Sequence, residues 1–332
     1  MANFDADLIR ALQDDGRTSI HDLAAAVGQP RAAVSSRLRA LRADGIVRVV
    51  AAVDPAFLGQ HVLAHVAVRT DGTTEAVAAH LRDLDETVFV SATGGWHDLV
   101  TEIRVGTMPA LHGLLARIRS LPGVADISTL IYSTVIKGLF VSEYRGGIRI
   151  DTTDTALIEL LQTDGRASFR ELGEAVRLSP SAVATRVDRL ISGGVIKISA
   201  VEARGLTQRQ LALGVGLNLA GDDDAVIQAI RSWRGVDFAA RSLGRFDLIL
   251  TLVEPSASAL YASLERIRAL SGVRHSESWF HLAVLKEDYA RTLRPADLTA
   301  ASAATSTATG PAASVGGEPD RDGDRDRTRL SR

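Results

Sequence analysis

Asp164-Gly165-Arg166-Ala167-Ser168-Phe169-Arg170-Glu171-Leu172-Gly173-Glu174-Ala175-Val176-Arg177-Leu178-Ser179-Pro180-Ser181-Ala182-Val183-Ala184-Thr185-Arg186-Val187-Asp188-Arg189-Leu190 is the stretch that decides the fold. Ser168 can accept from the free N–H groups of a first helical turn, and Glu171 three residues on completes a capping-box spacing. Leu172 and Val176 lie one turn apart and pack inward. Arg177-Leu178 turns the chain and Ser179 caps again. Pro180 then opens the next helix, where its fixed φ and missing N–H are tolerated. Val183, Val187 and Leu190 form the inner stripe of that helix, leaving Ser181, Thr185, Arg186 and Arg189 to face out. Two short helices joined by a tight turn, the second opening with small polar residues and arginines, make a helix-turn-helix. Small residues let such a helix sink into the major groove of double-stranded DNA. Arginine can bridge guanine O6 and N7, and further arginines can hold phosphates. A single copy would also fit an ordinary three-helix bundle with a solvated basic face.

The pattern, however, occurs twice, at a shift of 149 residues. Asp5, Leu8, Leu12, Asp15, Gly16, Arg17 and Ser19 recur as Asp154, Leu157, Leu161, Asp164, Gly165, Arg166 and Ser168. The same shift carries Val34, Arg37 and Leu41 onto Val183, Arg186 and Leu190, and Gly95 and Asp98 onto Gly244 and Asp247. So long a period marks a duplicated set of domains, not a solenoid. In the first copy a helix over Asp7 to Asp14 stops at Asp15-Gly16, Ser19 caps a second, and Gly28-Gln29 turns the chain. Pro30 opens the third, with Val34, Leu38 and Leu41 inward and Arg31, Ser35, Ser36, Arg37 and Arg39 on its other faces. This copy is the more basic reader, because the second has Asp188 among its arginines.

Behind each helical unit, strands and helices alternate. Residues 61–136 read as strand, helix, strand, strand, helix, strand: Val62 to Val68, Thr74 to Leu84, Val88 to Ser91, Leu99 to Arg104, Ala110 to Arg119 and Asp126 to Val135. Residues 210–285 repeat the order. The fold class is α+β, with winged-helix-type helix-turn-helix domains alternating with ferredoxin-like βαββαβ sandwiches, each sheet covered on one face by two helices. The other sheet face is apolar and has to be covered by a second such domain. That partner lies either in the same chain, giving a pseudo-dimer, or in another chain, giving a homo-oligomer. The expected boundaries are 1–55 and 150–204 for the helical domains and 56–143 and 205–292 for the sheet domains. Tyr144-Arg145-Gly146-Gly147 reads as a flexible link. The Ala-, Ser-, Thr-, Gly- and Pro-rich tail over 293–332 has little to bury and is expected to be disordered.

With 332 residues, the chain has room for several compact units. It is 46% hydrophobic and 23% charged, with a net charge of −2, so any nucleic-acid affinity must come from a local basic face. No segment approaches the roughly 20 apolar residues needed to span a bilayer. The N-terminal order is not that of a secretion signal, and there are no cysteines, so the expected residence is cytoplasmic. No cofactor fingerprint or metal-ligand spacing appears. His61 and His65, at the start of a strand, would stand about 13 Å apart, too far to share an ion.

The run Asp164-Gly165-Arg166, Leu178-Ser179-Pro180-Ser181, Arg186, Leu190 and Gly194-Val195-Ile196 resembles the Lrp/AsnC family of regulators. The first copy carries Asp15-Gly16-Arg17, Arg37, Leu41 and Gly45-Ile46-Val47, with Gln29-Pro30 in place of Leu178-Ser179. The resemblance implies a DNA-binding transcription regulator, not an enzyme. Its sheet domain would dimerise and bind a small effector, an amino acid or derivative, between sensing domains. The family's Gly-x-x-Asp mark stands twice, as Gly95-Trp96-His97-Asp98 and Gly244-Arg245-Phe246-Asp247. Glycine would let backbone N–H groups approach a carboxylate and aspartate would hold an ammonium group; alternatively both simply shape a hairpin turn. Siroheme decarboxylases resemble the same paired architecture and give the rival expectation, a tetrapyrrole enzyme. The His/Arg-Tyr-Asn stretch expected of those enzymes is not found, and Gly-x-x-Asp occupies its place. A third expectation is a sensor that associates with other family members without binding DNA.

Overall fold

The computed structural model describes residues 2–138, 144, 146–202, 210–221 and 223–289. The expected tail and Arg145 of the link lie outside them. The first copy runs α1 (Ala2–Asp14), α2 (Ile20–Val27), α3 (Arg31–Ala43), β1 (Val47–Val53), β2 (Val62–Thr70), α4 (Glu75–Asp83), β3 (Thr87–Gly94), β4 (Leu99–Val105), α5 (Met108–Arg119) and β5 (Val124–Lys137). The second repeats it as α6 (Thr152–Thr163), α7 (Phe169–Val176), α8 (Pro180–Ser192), β6 (Ile196–Glu202), β7 (Leu211–Leu219), α9 (Asp224–Ser232), β8 (Val236–Leu243), β9 (Leu248–Glu254), α10 (Ala257–Arg268) and β10 (Val273–Glu287).

Local chemistry accounts for the helix ends. The Ser19 side chain accepts from the Asp22 N–H, and Ser168 and Glu171 form a reciprocal capping box. Ser179 caps α8 with Pro180 at its first position. Each such cap contributes about 1 kcal/mol. The turn after α2 has Gly28 at φ +64°; the equivalent turn after α7 places Arg177 at φ 59°. The inner stripes are buried as their spacing requires: Val34, Leu38 and Leu41 on α3, and Val183, Val187 and Leu190 on α8.

Among the described residues, the strand after each third helix does not fold back on its own domain. β1 pairs antiparallel with β6 of the other copy, from Val47↔Glu202 to Val53↔Ile196. α1 packs against β6 and α6 against β1, so both helical domains share one hydrophobic core. Asp-Gly-Arg lies at this joint. The Gly16 N–H donates to the Ile198 carbonyl at 2.9 Å and the Gly165 N–H to the Val49 carbonyl at 2.8 Å. A Cβ on Gly16 would come within 2.9 Å of that Ile198 backbone, which restricts the position to glycine. Arg17 donates to the carbonyls of Gly165 and Ala167, and Arg166 donates to those of Gly16 and Thr18. The two arginines therefore cross between the copies as a reciprocal clasp.

Each sensing sheet has the ferredoxin-like order, β3-β4-β2-β5 and β10-β7-β9-β8. Antiparallel pairing of β5 with β8 and of β10 with β3 then closes them into one eight-stranded barrel. Pairing thus occurs within the chain. α4 with α5, and α9 with α10, cover the two outer faces over separate cores. The inner faces meet in the lumen around Leu130, Ala240, Phe246 and Ile249, and around Ala67, Phe89 and Val100.

Candidate nucleic-acid interface and sensing turns

Burial of Val34, Leu38 and Leu41 fixes the rotation of α3, so that Arg31, Ser36 and Arg39 are exposed and Ser35 is half-buried. Arg31 is bonded to His21 of α2, and Arg42 reaches Asp164 of the other copy at 2.8 Å. Arg37 does not share this outward face. Its Nε and one terminal nitrogen donate to the two carboxylate oxygens of Asp5 at 2.6 Å each. That bidentate bond to Asp5 raises the guanidinium's pKa.

The second copy repeats the arrangement. Arg186, the counterpart of Arg37, donates to Asp154, the counterpart of Asp5, at 2.8 Å, and to Asp151 at 2.7 Å. Arg189 also bonds Asp154. The Asp154 side chain is 1% exposed, so these arginines neutralise a buried carboxylate. Of the residues expected on the second DNA face, Ser181, Thr185 and Arg189 are exposed, with the Thr185 hydroxyl donating to the Ser181 carbonyl. Arg37, Arg186 and Arg189, read from the sequence as DNA contacts, are engaged within the protein because a carboxylate on the first helix of each copy lies within reach. Retention of both members, Asp5/Asp154 with Arg37/Arg186, was the available sequence signal for this pairing. The clasp arginines Arg17 and Arg166 were missed altogether, since Asp-Gly-Arg reads locally as a helix stop.

The two Gly-x-x-Asp turns lie between β3 and β4 and between β8 and β9. Asp98 Oδ2 accepts from the Thr70 N–H at 2.7 Å, and Asp247 Oδ2 from the Leu219 N–H at 2.8 Å. Their own N–H groups donate back to Val68 and Leu217. Each aspartate thereby pins its turn to the end of the neighbouring strand. Gly95, at φ +146°, leaves 3.3 Å between a would-be Cβ and that of Trp279; at Gly244, φ +139°, the distance to Leu130 would be 2.7 Å. Both turns therefore lean on the last strand of the opposite copy, at the two seams of the barrel. Trp96 is 75% exposed, whereas Phe246 is buried with Arg245 over its ring at 5.3 Å. Arg245 also pairs with Glu277. Burial first, and then Arg245 of the other turn, lowers the pKa of His97. Among the described residues no group of three His, Asp or Glu side chains is disposed to hold a metal ion, and no helix is long and apolar enough to cross a membrane.

Comparison with known proteins agrees with this division. Residues 1–48 match the model of the winged helix-turn-helix DNA-binding domain, and residues 150–191 that of the AsnC-type helix-turn-helix domain. Residues 62–138 and 214–291 each match the Lrp/AsnC ligand binding domain. The HTH-type transcriptional regulator FL11 of Pyrococcus horikoshii is 33% identical over 129 residues, 38% of this chain and 85% of that protein. The HTH-type transcriptional regulator Rv2324 of Mycobacterium tuberculosis is 34% identical over 138 residues, 39% of this chain and 90% of its own. Each relative thus has about the length of one copy. Among solved structures, the siroheme decarboxylase NirDL superposes with a TM-score of 0.59 at 18% identity, covering 92% of this chain and 99% of that one. At that identity the likeness concerns the fold alone.

Proposed function

The chain belongs to the Lrp/AsnC family, and on that premise we propose that it is a cytoplasmic transcription regulator reading two DNA half-sites through α3 and α8. The observation that carries this reading is the reader pair, two helix-turn-helix units on one core and one β ribbon. The outer faces of α3 and α8 remain exposed at Arg31, Ser36, Arg39, Ser181 and Thr185. We assign base or phosphate contact to these residues and to Ser35. Arg37 and Arg186 hold the helices in place through Asp5 and Asp154, and the exposed Arg189 also bonds Asp154. Half-sites roughly 34–36 Å apart follow if both readers meet one face of the duplex. Gly28 and Arg177, Arg39 and Asp188 differ between the copies, which favours unequal half-sites.

The sensing domains would take a small effector, an amino acid or derivative, at the Gly95–Asp98 and Gly244–Asp247 turns. Asp98 and Asp247 hold their strands through one carboxylate oxygen, Oδ2, so the second can answer an ammonium group. The turns sit on the seams between the copies, where a bound molecule would bear on their packing. Effector control further requires different affinities for two arrangements of the readers. The family relatives are named regulators, and the fold likeness to a decarboxylase brings no reaction with it.

Binding of the purified chain to its own upstream DNA, at two salt concentrations and with or without pooled amino acids, tests both parts. Saturable, salt-sensitive binding that survives competitor DNA supports the regulator, and an amino-acid effect lost on replacing Asp98 and Asp247 supports the sensing turns. Absence of specific binding under every condition rejects the regulator reading.

A further inference from the structure

The two sensing turns share one hydrogen-bond frame. Thr93 donates its hydroxyl to the His97 carbonyl, and Ser242 donates its own to the Phe246 carbonyl, each at 2.8 Å. Asp98 and Asp247 accept from the N–H groups of Thr70 and Leu219. Because both copies have this frame, whatever one turn carries beyond it is not needed to make the turn. The second turn carries three additions. Arg245 pairs with Glu277 of β10 while standing over the Phe246 ring at 5.3 Å. The Asn218 side-chain amide donates to the Arg245 carbonyl at 2.8 Å. Phe246 enters the lumen among Leu130, Ala240 and Ile249, and stacks on Trp279 with ring centroids 6.5 Å apart.

Strand β7 makes room for these rings. A Cβ on Gly216 would collide with Phe246, and one on Gly214 with Trp279, so the strand lacks side chains where the two rings lie. The first copy is the internal control. At the shift of 149 residues, Arg245, Phe246 and Glu277 correspond to Trp96, His97 and Ser128, and Gly216 to Ala67. Trp96 stands in solvent, and Ser128 has no charge with which to hold a neighbour. His97 stays partly exposed, and Ala67 keeps its methyl, buried beside Phe89 and Val100. Among the described residues, no ion pair holds the tip of the first turn. One turn is thus fastened by its own side chains and the other is not.

We propose that the two turns are unequal sites: the first takes the effector, and the second is latched by Arg245 and Phe246 and takes one only after the latch opens. This rests on the reading of both turns as sensing sites. The latch opposes binding in two ways. A free amino acid presents an ammonium and a carboxylate, and Arg245 and Glu277 already answer each other with the same two charges, two residues from Asp247. Opening the turn also returns the Phe246 ring to water. Affinity at a site that is competent only part of the time falls by that fraction. Each turn leans on the last strand of the opposite copy, so one bound effector would load a single seam of the barrel and leave the other closed. A dimer of identical chains could not make this distinction, since its two turns would carry the same residues.

The test uses the full chain without DNA, so its outcome is independent of the DNA-binding reading. Hydrogen exchange without effector reads the latch itself. After correction for intrinsic rates, the Leu219 and Asp247 amides should exchange at least tenfold more slowly than those of Thr70 and Asp98. Arg245→Ala should speed the first pair at least threefold and leave the second pair unchanged. Native mass spectrometry with each of the twenty amino acids in turn then reads occupancy. One molecule per chain is expected at a concentration at least tenfold below that at which a second appears. Asp98→Asn should remove the tighter site, and Arg245→Ala should bring the two within about threefold of each other. Thermal melting checks that each variant folds; if Arg245→Ala does not, Glu277→Gln replaces it. Equal exchange of the two turns, two equal sites, or a tight site that survives Asp98→Asn would overturn the proposal. No bound amino acid on any form would overturn the sensing reading, and the unequal sites with it.

Discussion

Arg37 and Arg39 stand two residues apart on α3 and have different neighbours. Arg37 is fastened to Asp5, while Arg39 is exposed. Arg37→Ala should therefore lower stability by about 1–2 kcal/mol, since it removes a partly buried bidentate pair. Arg39→Ala should leave the melting temperature nearly unchanged, weaken DNA binding and reduce the slope of log affinity against log salt by about 1. Equal melting losses in both variants would contradict this division. His65 makes a second prediction at this scale. Its imidazole is buried against Trp279, beside His281 and His97 and across the strand from Glu102, and burial pushes its pKa down to about 3. A folded-state value below the unfolded one, about 6.5, means that the native state binds fewer protons. Its contribution is complete above pH 6.5 and is lost as the pH falls towards 3, by up to about 1.4 kcal/mol per pH unit. Denaturant titrations between pH 6.5 and 5, above the range of ordinary carboxylates, should show that slope reduced in His65→Gln.

At the scale of elements, the same turn is made twice by different chemistry. Gly28 adopts its left-handed conformation freely, whereas Arg177 does so with a Cβ against the following carbonyl, at a cost of about 1 kcal/mol. Arg177→Gly should stabilise the second helix-turn-helix by about 0.5–1 kcal/mol, seen as a higher urea midpoint with an unchanged m-value. A lower midpoint would mean that the Arg177 side chain contributes more than its backbone loses. The ribbon is the other lesson at this scale. β1 and β6 follow Gly45 and Gly194, and among the described residues each pairs with the other and not within its own copy.

For the whole molecule, the closed barrel pairs both edges of each sensing sheet within one chain. Two seams, the ribbon and the shared reader core join the copies beside the covalent link, whose Tyr144 itself packs on that core against Phe57. A protease site placed at Gly146-Gly147 and cleaved should yield two fragments that co-elute on gel filtration and separate only in denaturant; free half-molecules in native buffer would show that covalent linkage supplies the association. Fusion also removes the symmetry that a dimer of identical chains imposes. Lumen, turns and recognition helices have been free to differ between the copies, as Glu102 and Thr251, His97 and Phe246, and Arg39 and Asp188 do.

Periodicity, capping residues and the shift of 149 residues made the helices, the sensing strands and the duplication legible, because each depends on neighbours a few positions away or on comparison of the chain with itself. The expected helix from Ala110 to Arg119 ends where α5 ends, and the expected sensing strands of the first copy agree with the observed ones to within three residues. What local spacing could not specify was pairing at a distance. An antiparallel edge accepts any strand of suitable register, so the sequence left open whether β5 met β8 in the same chain or in another. An arginine on a helix face points to DNA or to a carboxylate 32 residues earlier according to where that carboxylate lies in space, and Asp5 decided it for Arg37. The reciprocal clasp and the seating of each turn on the opposite copy arise from the approach of two distant copies, and the tertiary structure alone sets that distance.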